Sequence, residues 1–222
     1  TLVLLAGDAV QETNMFKSII ALLGAGLICA SAEAQNFNFV SFNTIADGQS
    51  ETFERYSDTI APIMHRHGAH YIQTELVEVL AGEERAQVIN IGDMGTPEQA
   101  QACFSDPDFL EAFPTLIGAL SDHLTLAPAG PLPDGHVLAE GDLLLLVATD
   151  DAHVLGRVSH HDGTEMLGHW DIGMANRGLG PTASAETAPA TLAIWRLSGP
   201  VVEASDVEGA TIAVVAVMLA VA

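Results

Sequence analysis

Three histidines within Met64–His70 form the strongest candidate for acid–base chemistry in this chain. Imidazole titrates near neutral pH and serves as either general acid or general base. His67 lies on an apolar stripe with three- and four-residue spacing and is predicted to face the interior, whereas His65 points elsewhere. Tyr56 is the polar residue that follows the same stripe, so it is the predicted acid–base partner of His67. The alternative for His67 is a helix-terminal role, in which it caps carbonyls and interacts with the helix dipole.

A second histidine cluster follows in the C-terminal half. If this segment is helical, His161, Glu165 and His169 lie on one face at four-residue steps, where they could bind zinc or another divalent ion. The spacing matches no recognised metal motif, and Gly163 and Gly168 disfavour a helix. A polar surface stripe is the favoured interpretation, and no metal or other cofactor is predicted.

Other catalytic chemistry has little support in the sequence. Ser159, His160 and Asp162 are sequence neighbours, which is not how a working triad is usually built. Cys103 has no basic neighbour and is predicted to be a buried, inert thiol. Cys29 lies in a segment with no reason to meet it, so no disulfide is expected. Neither a phosphate-binding loop nor a dinucleotide fingerprint is present.

The elements that must position these residues follow a βαββαβ pattern over residues 37–130. Two βαβ halves of this kind predict a ferredoxin-like α+β sheet with both helices on one face. The predicted elements are a strand at Phe37–Phe42, a helix ending at His67–Gly68, strands at Ala69–Leu80 and Arg85–Ile91, a helix at Thr96–Ser121 and a strand at His123–Ala127.

Local signals support the helix boundaries. Gly68 suits the left-handed position that ends a helix. Pro62 is expected to kink the first helix. Thr96 and Gln99 predict a capping box at the start of the second helix, which Ser105–Asp108 should interrupt.

The same region resembles the family known as domain of unknown function 1330, in the dimeric α/β-barrel superfamily. The residues that carry the resemblance are Phe53–Tyr56, Ala61–Pro62, His67–Gly68, Val77–Gly82 and Phe104–Phe109. The resemblance implies that two such sheets pack face to face into a barrel, usually across a dimer. It also implies a cavity between sheet and helices, in which His67 is the best acid–base candidate. The side chains expected to contact a ligand there are Phe53, Ile63, Phe104, Phe109 and Phe113.

The C-terminal half is interpreted as a diverged second copy. A Pro- and Gly-rich linker at residues 131–139 separates the domain at 37–130 from a second ferredoxin-like domain at 140–222. Asp142–Thr149 would be its first strand, Ala190–Gly199 its third, and the apolar tail Ala210–Ala222 a buried central strand. The tandem pair would then form a dimeric-type α/β barrel within one chain, with a homodimer as the alternative mode of self-association.

Composition limits the partners and the location. The chain has 222 residues, with 29 acidic and 7 basic side chains and a formal charge of −22. Such a surface disfavours nucleic acid, which needs clustered Lys or Arg. Residues 1–36 are apolar, and Met15–Ala34 has the form of a signal peptide, which would direct the protein to the periplasm or outside the cell. The alternative is a cytoplasmic protein with an extra strand and helix. The apolar stretch is too short to span a membrane.

Three functions remain open from the sequence. The first is binding of a small, mostly apolar organic molecule in the cavity beside the sheet. The second is a cofactor-independent enzyme, monooxygenase- or cyclase-like in the terms of the superfamily, that uses His67 and Tyr56. The third is a structural or assembly module whose helices only fill space.

Overall fold

The fold is a mixed α+β barrel. The computed structural model describes residues 37–83, 85–128, 130, 138–180, 183–198 and 202–221. The predicted signal segment, Cys29 and most of the predicted linker lie outside these residues. Among the described residues, no helix has the length and apolar character needed to cross a membrane.

The described part of the first half contains four strands and three helices. They are β1 (Asn38–Ile45), α1 (Ser50–Arg66), β2 (His70–Ala81), β3 (Val88–Asp93), α2 (Pro97–Phe104), α3 (Pro107–Ala119) and β4 (Leu120–Pro128). The predicted order of helices and strands is confirmed. The helix α1 runs through Pro62 without ending. The capping box of Thr96 and Gln99 is present, and the predicted interruption separates α2 from α3.

The described part of the second half contains five strands and one helix. They are β5 (Leu143–Thr149), α4 (Ala152–Ser159), β6 (Thr164–Arg177), β7 (Ser184–Glu186), β8 (Thr191–Leu197) and β9 (Ile212–Val221). The tail is a strand between β2 and β5, as predicted. Turns occupy residues 204–209, where Val207 is buried.

Eight strands form a closed antiparallel barrel in the order β4-β1-β3-β2-β9-β5-β8-β6. Strand β6 closes the barrel because Thr164–Asp171 pairs with β8 and Ile172–Arg177 pairs with β4. The short β7 adds to β6 outside this circle. The barrel is therefore built by one chain.

Alternate residues of the strands fill the barrel interior. On β5, for example, Leu144 and Leu146 belong to the interior core, whereas Leu145 and Val147 pack outward against α4. Successive side chains of a strand point to opposite faces, so a strand buried on both faces must be apolar at every position. The interior core draws side chains from all eight strands. An eight-stranded barrel is just wide enough for such side chains to fill it.

Two further cores lie outside the barrel. The helices α1, α2 and α3 cover the first half through a core that includes the predicted stripe of α1. That stripe is confirmed, since the buried residues of α1 are Phe53, Tyr56, Ile60, Ile63 and Met64. On the second half, α4 and the 204–209 turns cover a core that includes Trp195.

Gly82 provides a test of how tightly the two halves meet. Gly82 and Gly141 both have φ +89°, which L-residues rarely adopt. A Cβ at Gly82 would lie 2.4 Å from the Thr211 carbonyl oxygen, whereas one at Gly141 would have nothing within 4 Å. We expect Gly141→Ala to lower the free energy of unfolding by about 1–2 kcal/mol. Gly82→Ala should cost about 1–3 kcal/mol more, because the carbonyl must move. Urea unfolding of both variants measures the difference, and equal losses would contradict the close approach.

Candidate functional site

The predicted ligand-contacting aromatic residues form part of the packed outer core. Phe53, Phe109 and Phe113 are buried, and Phe104 is half-buried against them. The rings of Phe104 and Phe109 meet edge-on with centroids 5.3 Å apart, and Phe109 stacks on Phe113 at 5.7 Å. These four side chains pack against one another. Of the five predicted contacts, Ile63 is the one that borders the groove described below.

His67 joins the end of α1 to the start of α3. Its Nε2 lies 2.7 Å from Oδ2 of Asp106, and Arg66 donates to the same oxygen at 2.8 Å. Arg66 also reaches Asp108 at 2.9 Å. The hydrogen bond with His67 lowers the pKa of Asp106 to about 2, aided by the Asp108 amide and by Arg66, despite the desolvation that opposes it. His67 therefore contacts a carboxylate of the next helix, and the carbonyl-capping role considered from the sequence stays a prediction.

The two residues of the predicted acid–base pair lie far apart along α1. His67 follows the end of α1 and Tyr56 lies eleven residues before it. At the rise of an α-helix this separation is about 16 Å. The joint role of His67 and Tyr56 stays a prediction, which would require a substrate that reaches along α1.

Tyr56 is suited to hydrogen bonding and not to proton abstraction. Only 9% of the residue's surface is exposed. Burial raises the pKa of its phenol, and nearby Tyr71 and Cys103 raise it further. The hydroxyl thus stays protonated. It makes no hydrogen bond to any other described residue, and the residue lines the open groove described next.

An open groove runs between α1 and α3, with a volume of about 800 Å³. We call it the α1–α3 groove. Its residues are Thr52, Arg55, Tyr56, Thr59, Pro62, Ile63 and Arg66 of α1, with Asp108, Glu111, Ala112 and Thr115 of α3. Tyr56 and Ile63 are its buried members, and the charged side chains are exposed. The groove therefore combines apolar surface with charged and hydroxyl groups.

The charges of the α1–α3 groove are not all paired. Arg66 is neutralised by Asp106 and Asp108. Arg55 makes no ion pair within the described residues, and its guanidinium contacts the Thr52 hydroxyl at 3.5 Å. In a chain with a formal charge of −22, a guanidinium without a carboxylate partner is a feature that an anionic group could use.

A second concavity of about 400 Å³ lies at one mouth of the barrel. Its floor is apolar, formed by barrel residues such as Leu124, Leu126 and Ala175. Its guanidinium, Arg177, is already bound to Asp122 and lies 4.0 Å from Glu186. The guanidinium at the barrel mouth is therefore less available to an anionic ligand than Arg55 of the α1–α3 groove.

Sequence reasoning missed a buried histidine under the helices. Leu124 and Leu126 point into the barrel, so His123 points outward. Its Nδ1 lies 2.8 Å from Oδ1 of Asn43, and its Nε2 lies 2.6 Å from the Thr125 hydroxyl. Burial lowers the pKa of His123 to about 4, the nearby Arg177 charge adds to this, and Asp122 opposes it. A polar residue alternating with buried leucines in a strand was the available signal.

The helical face considered for the second histidine cluster is not formed. His161 lies before β6, whereas Glu165 and His169 lie within it, so the three residues share no helical face. His161 contacts Asp206 at 3.0 Å, and Arg196 binds Glu165. Pairing with β8 makes this segment a strand. The described residues contain no cluster of three or more His, Cys, Asp or Glu suited to a metal ion.

Cys103 has the environment predicted for it. It is a fully buried, free thiol in the outer core. Burial raises its pKa to about 11, with a further contribution from Asp106 that Arg66 opposes. A thiol held in its protonated form is a poor nucleophile.

Comparisons with known proteins assign the chain to no family. No protein-family model matches the chain, and no curated protein has a significant match. The chain is similar to the solved structure of an anthrone oxidase-like protein, with TM-score 0.48 and 8% identity over 86% of this chain and 93% of the other. It is also similar to a chlorite dismutase-like protein, with TM-score 0.42 and 8% identity over 84% and 95% of the two chains. The chemistry of the groove follows from its own side chains.

The buried state of His123 predicts a specific pH dependence of stability. Its pKa is near 6.5 when exposed and about 4 in the fold, so the unfolded chain binds the proton first as pH falls. The contribution is present above pH 6.5 and is lost between about 6.5 and 4 as the pH decreases, by up to about 3 kcal/mol. We expect His123→Gln to flatten this part of the profile of unfolding free energy.

The matched control is His153→Gln, which replaces an exposed histidine on α4. This variant should keep the wild-type slope between pH 4 and 6.5 when both are unfolded in urea. A wild-type slope in His123→Gln would show that the titration of His123 does not govern this window.

Proposed function

We propose that this protein binds a small organic molecule with an apolar body and an anionic group in the α1–α3 groove. The observation that carries the proposal is a pair of polar groups in the groove, the hydroxyl of Tyr56 and the guanidinium of Arg55, which no carboxylate among the described residues binds. Ligand sites combine apolar surface with a few convergent polar groups.

Each part of the α1–α3 groove has a role in this proposal. The faces of Tyr56, Pro62, Ile63 and Ala112 offer contact to the apolar body. The Tyr56 phenol donates a hydrogen bond, since its raised pKa keeps the proton in place. Arg55 pairs with the anionic group, and the volume of about 800 Å³ lies within the range of small-molecule sites.

Binding is favoured over catalysis by the same groups. An enzyme that uses Tyr56 as a base would need a lowered pKa, and burial raises it. His67 holds Asp106 at the other end of α1. The filled outer core is what the structural-module alternative expects. The probe-binding experiment below distinguishes that alternative from ligand binding.

We also propose that the two halves are diverged copies of one ferredoxin-like unit, the interpretation that the sequence suggested for residues 140–222. Strands β1–β4 lie in the order β4-β1-β3-β2, and the second half has the equivalent order β9-β5-β8-β6. The short β7 and the 204–209 turns would be the departures of the second copy. A closed sheet has no free edge for pairing, which supports self-association of the two copies within one chain.

A fluorescent probe with an aromatic body and a sulfonate group, anilinonaphthalene sulfonate, tests the groove. We expect saturable binding by the full chain, with Ala112→Phe abolishing it because the new ring fills the groove. Arg55→Gln should weaken binding about tenfold, the loss expected for one charge-assisted hydrogen bond. Glu111→Gln should strengthen binding of the anionic probe, since it removes a like charge from the opposite wall.

The matched control is Ala102→Phe, an exposed position on α2 that does not line the groove. It should bind the probe like the wild type. If Ala112→Phe and Ala102→Phe bind equally well, the groove is not the site. Absence of binding to the folded wild-type chain would favour the structural-module alternative.

A further inference from the structure

His65 and His70 face each other across the end of α1. Nε2 of His65 lies 3.2 Å from Nδ1 of His70, and the rings meet edge-on at 84° with centroids 5.0 Å apart. Both side chains are exposed. Neither histidine contacts an acidic side chain within the described residues, unlike His67, which Asp106 holds. The pair is therefore accessible and otherwise unused.

The turn between α1 and β2 places the pair rigidly. The Gly68 amide donates to the His65 carbonyl at 3.0 Å, and the Ala69 amide donates to the Met64 carbonyl at 3.0 Å. These two bonds, with Gly68 at φ +77°, form a Schellman motif. Met64 and Ala69 are both buried in the outer core, which completes the hydrophobic contact of that motif. The chain thus reverses direction at this turn, with His65 before the turn and His70 after it.

The separation of the two nitrogens suits chelation. Two imidazole nitrogens bound to a tetrahedral zinc ion at about 2.0–2.1 Å lie about 3.3 Å apart. Without a metal, one ring must donate a hydrogen bond to the other to make the observed contact. A cation that replaces this hydrogen would bind both nitrogens at a separation close to the 3.2 Å observed.

We propose that His65 and His70 form a chelating site for a divalent transition-metal ion of the zinc, copper or nickel class. Imidazole ligands suit these ions over magnesium and calcium. The protein supplies two ligands, and water or an external group completes the coordination. The strongly negative chain attracts cations, and Arg66, the nearest cation in sequence, is neutralised by Asp106 and Asp108.

This site is independent of the proposed function. Neither His65 nor His70 lines the α1–α3 groove. Failure of probe binding in the groove would leave the metal site intact, and failure of metal binding would leave the groove intact.

Calorimetric titration of the full chain with Zn²⁺ tests the proposal. We expect a strongest site of one ion per chain, whose affinity falls at least about tenfold in His65→Gln and in His70→Gln. The matched control is His160→Gln, which removes an exposed histidine from the other cluster and should leave that site unchanged. Wild-type affinity in both His65→Gln and His70→Gln would overturn the proposal.

A second measurement uses no substitution. One equivalent of Cu²⁺ bound to the wild-type chain should give an electron paramagnetic resonance spectrum with coupling to two imidazole nitrogens. A spectrum with oxygen ligands alone would assign the metal to surface carboxylates and overturn the proposal.

Discussion

Strand β6 holds the sheet closed because its first part pairs with β8 and its second part with β4. A closed sheet has no edge to pair with another chain. Its interior must also be filled, since eight strands leave room for little besides side chains. The interior core therefore takes apolar residues from every strand of the barrel. This constraint moves the larger open groove to the outer surface, between helices.

The outer layer determines what that groove contains. Asp106 caps the start of α3, and its carboxylate accepts hydrogen bonds from Arg66 and His67 at the end of α1. This contact joins the two helices at one end, and the aromatic core joins them to the sheet. Between them lie Tyr56, whose hydroxyl bonds to no other described residue, and Arg55, which forms no ion pair within the described part of the chain. The polar groups available to a ligand are thus those that packing and ion pairing within the described residues do not use.

Sequence patterns predicted the elements of the described chain well because their signals are local. The apolar stripe of α1, the Thr96 cap and the alternation of the strands each depend on neighbours a few residues apart. The helical face considered for His161 and His169 is not formed, for the opposite reason. Four-residue spacing suits a helix, but pairing with β8 across the sheet makes this segment a strand.

The sequence by itself determined which segments of residues 37–130 are helices and strands, which of their faces are apolar, and that Tyr56 and Cys103 are buried. Only the tertiary structure decided that the barrel closes within one chain, that His67 binds Asp106, and that His123 lies buried under the helices. It also decided that the aromatic residues fill the space in which a cavity was expected. The physical reason is that periodicity reports burial of one face, whereas the partner and the remaining free volume depend on residues distant in the chain.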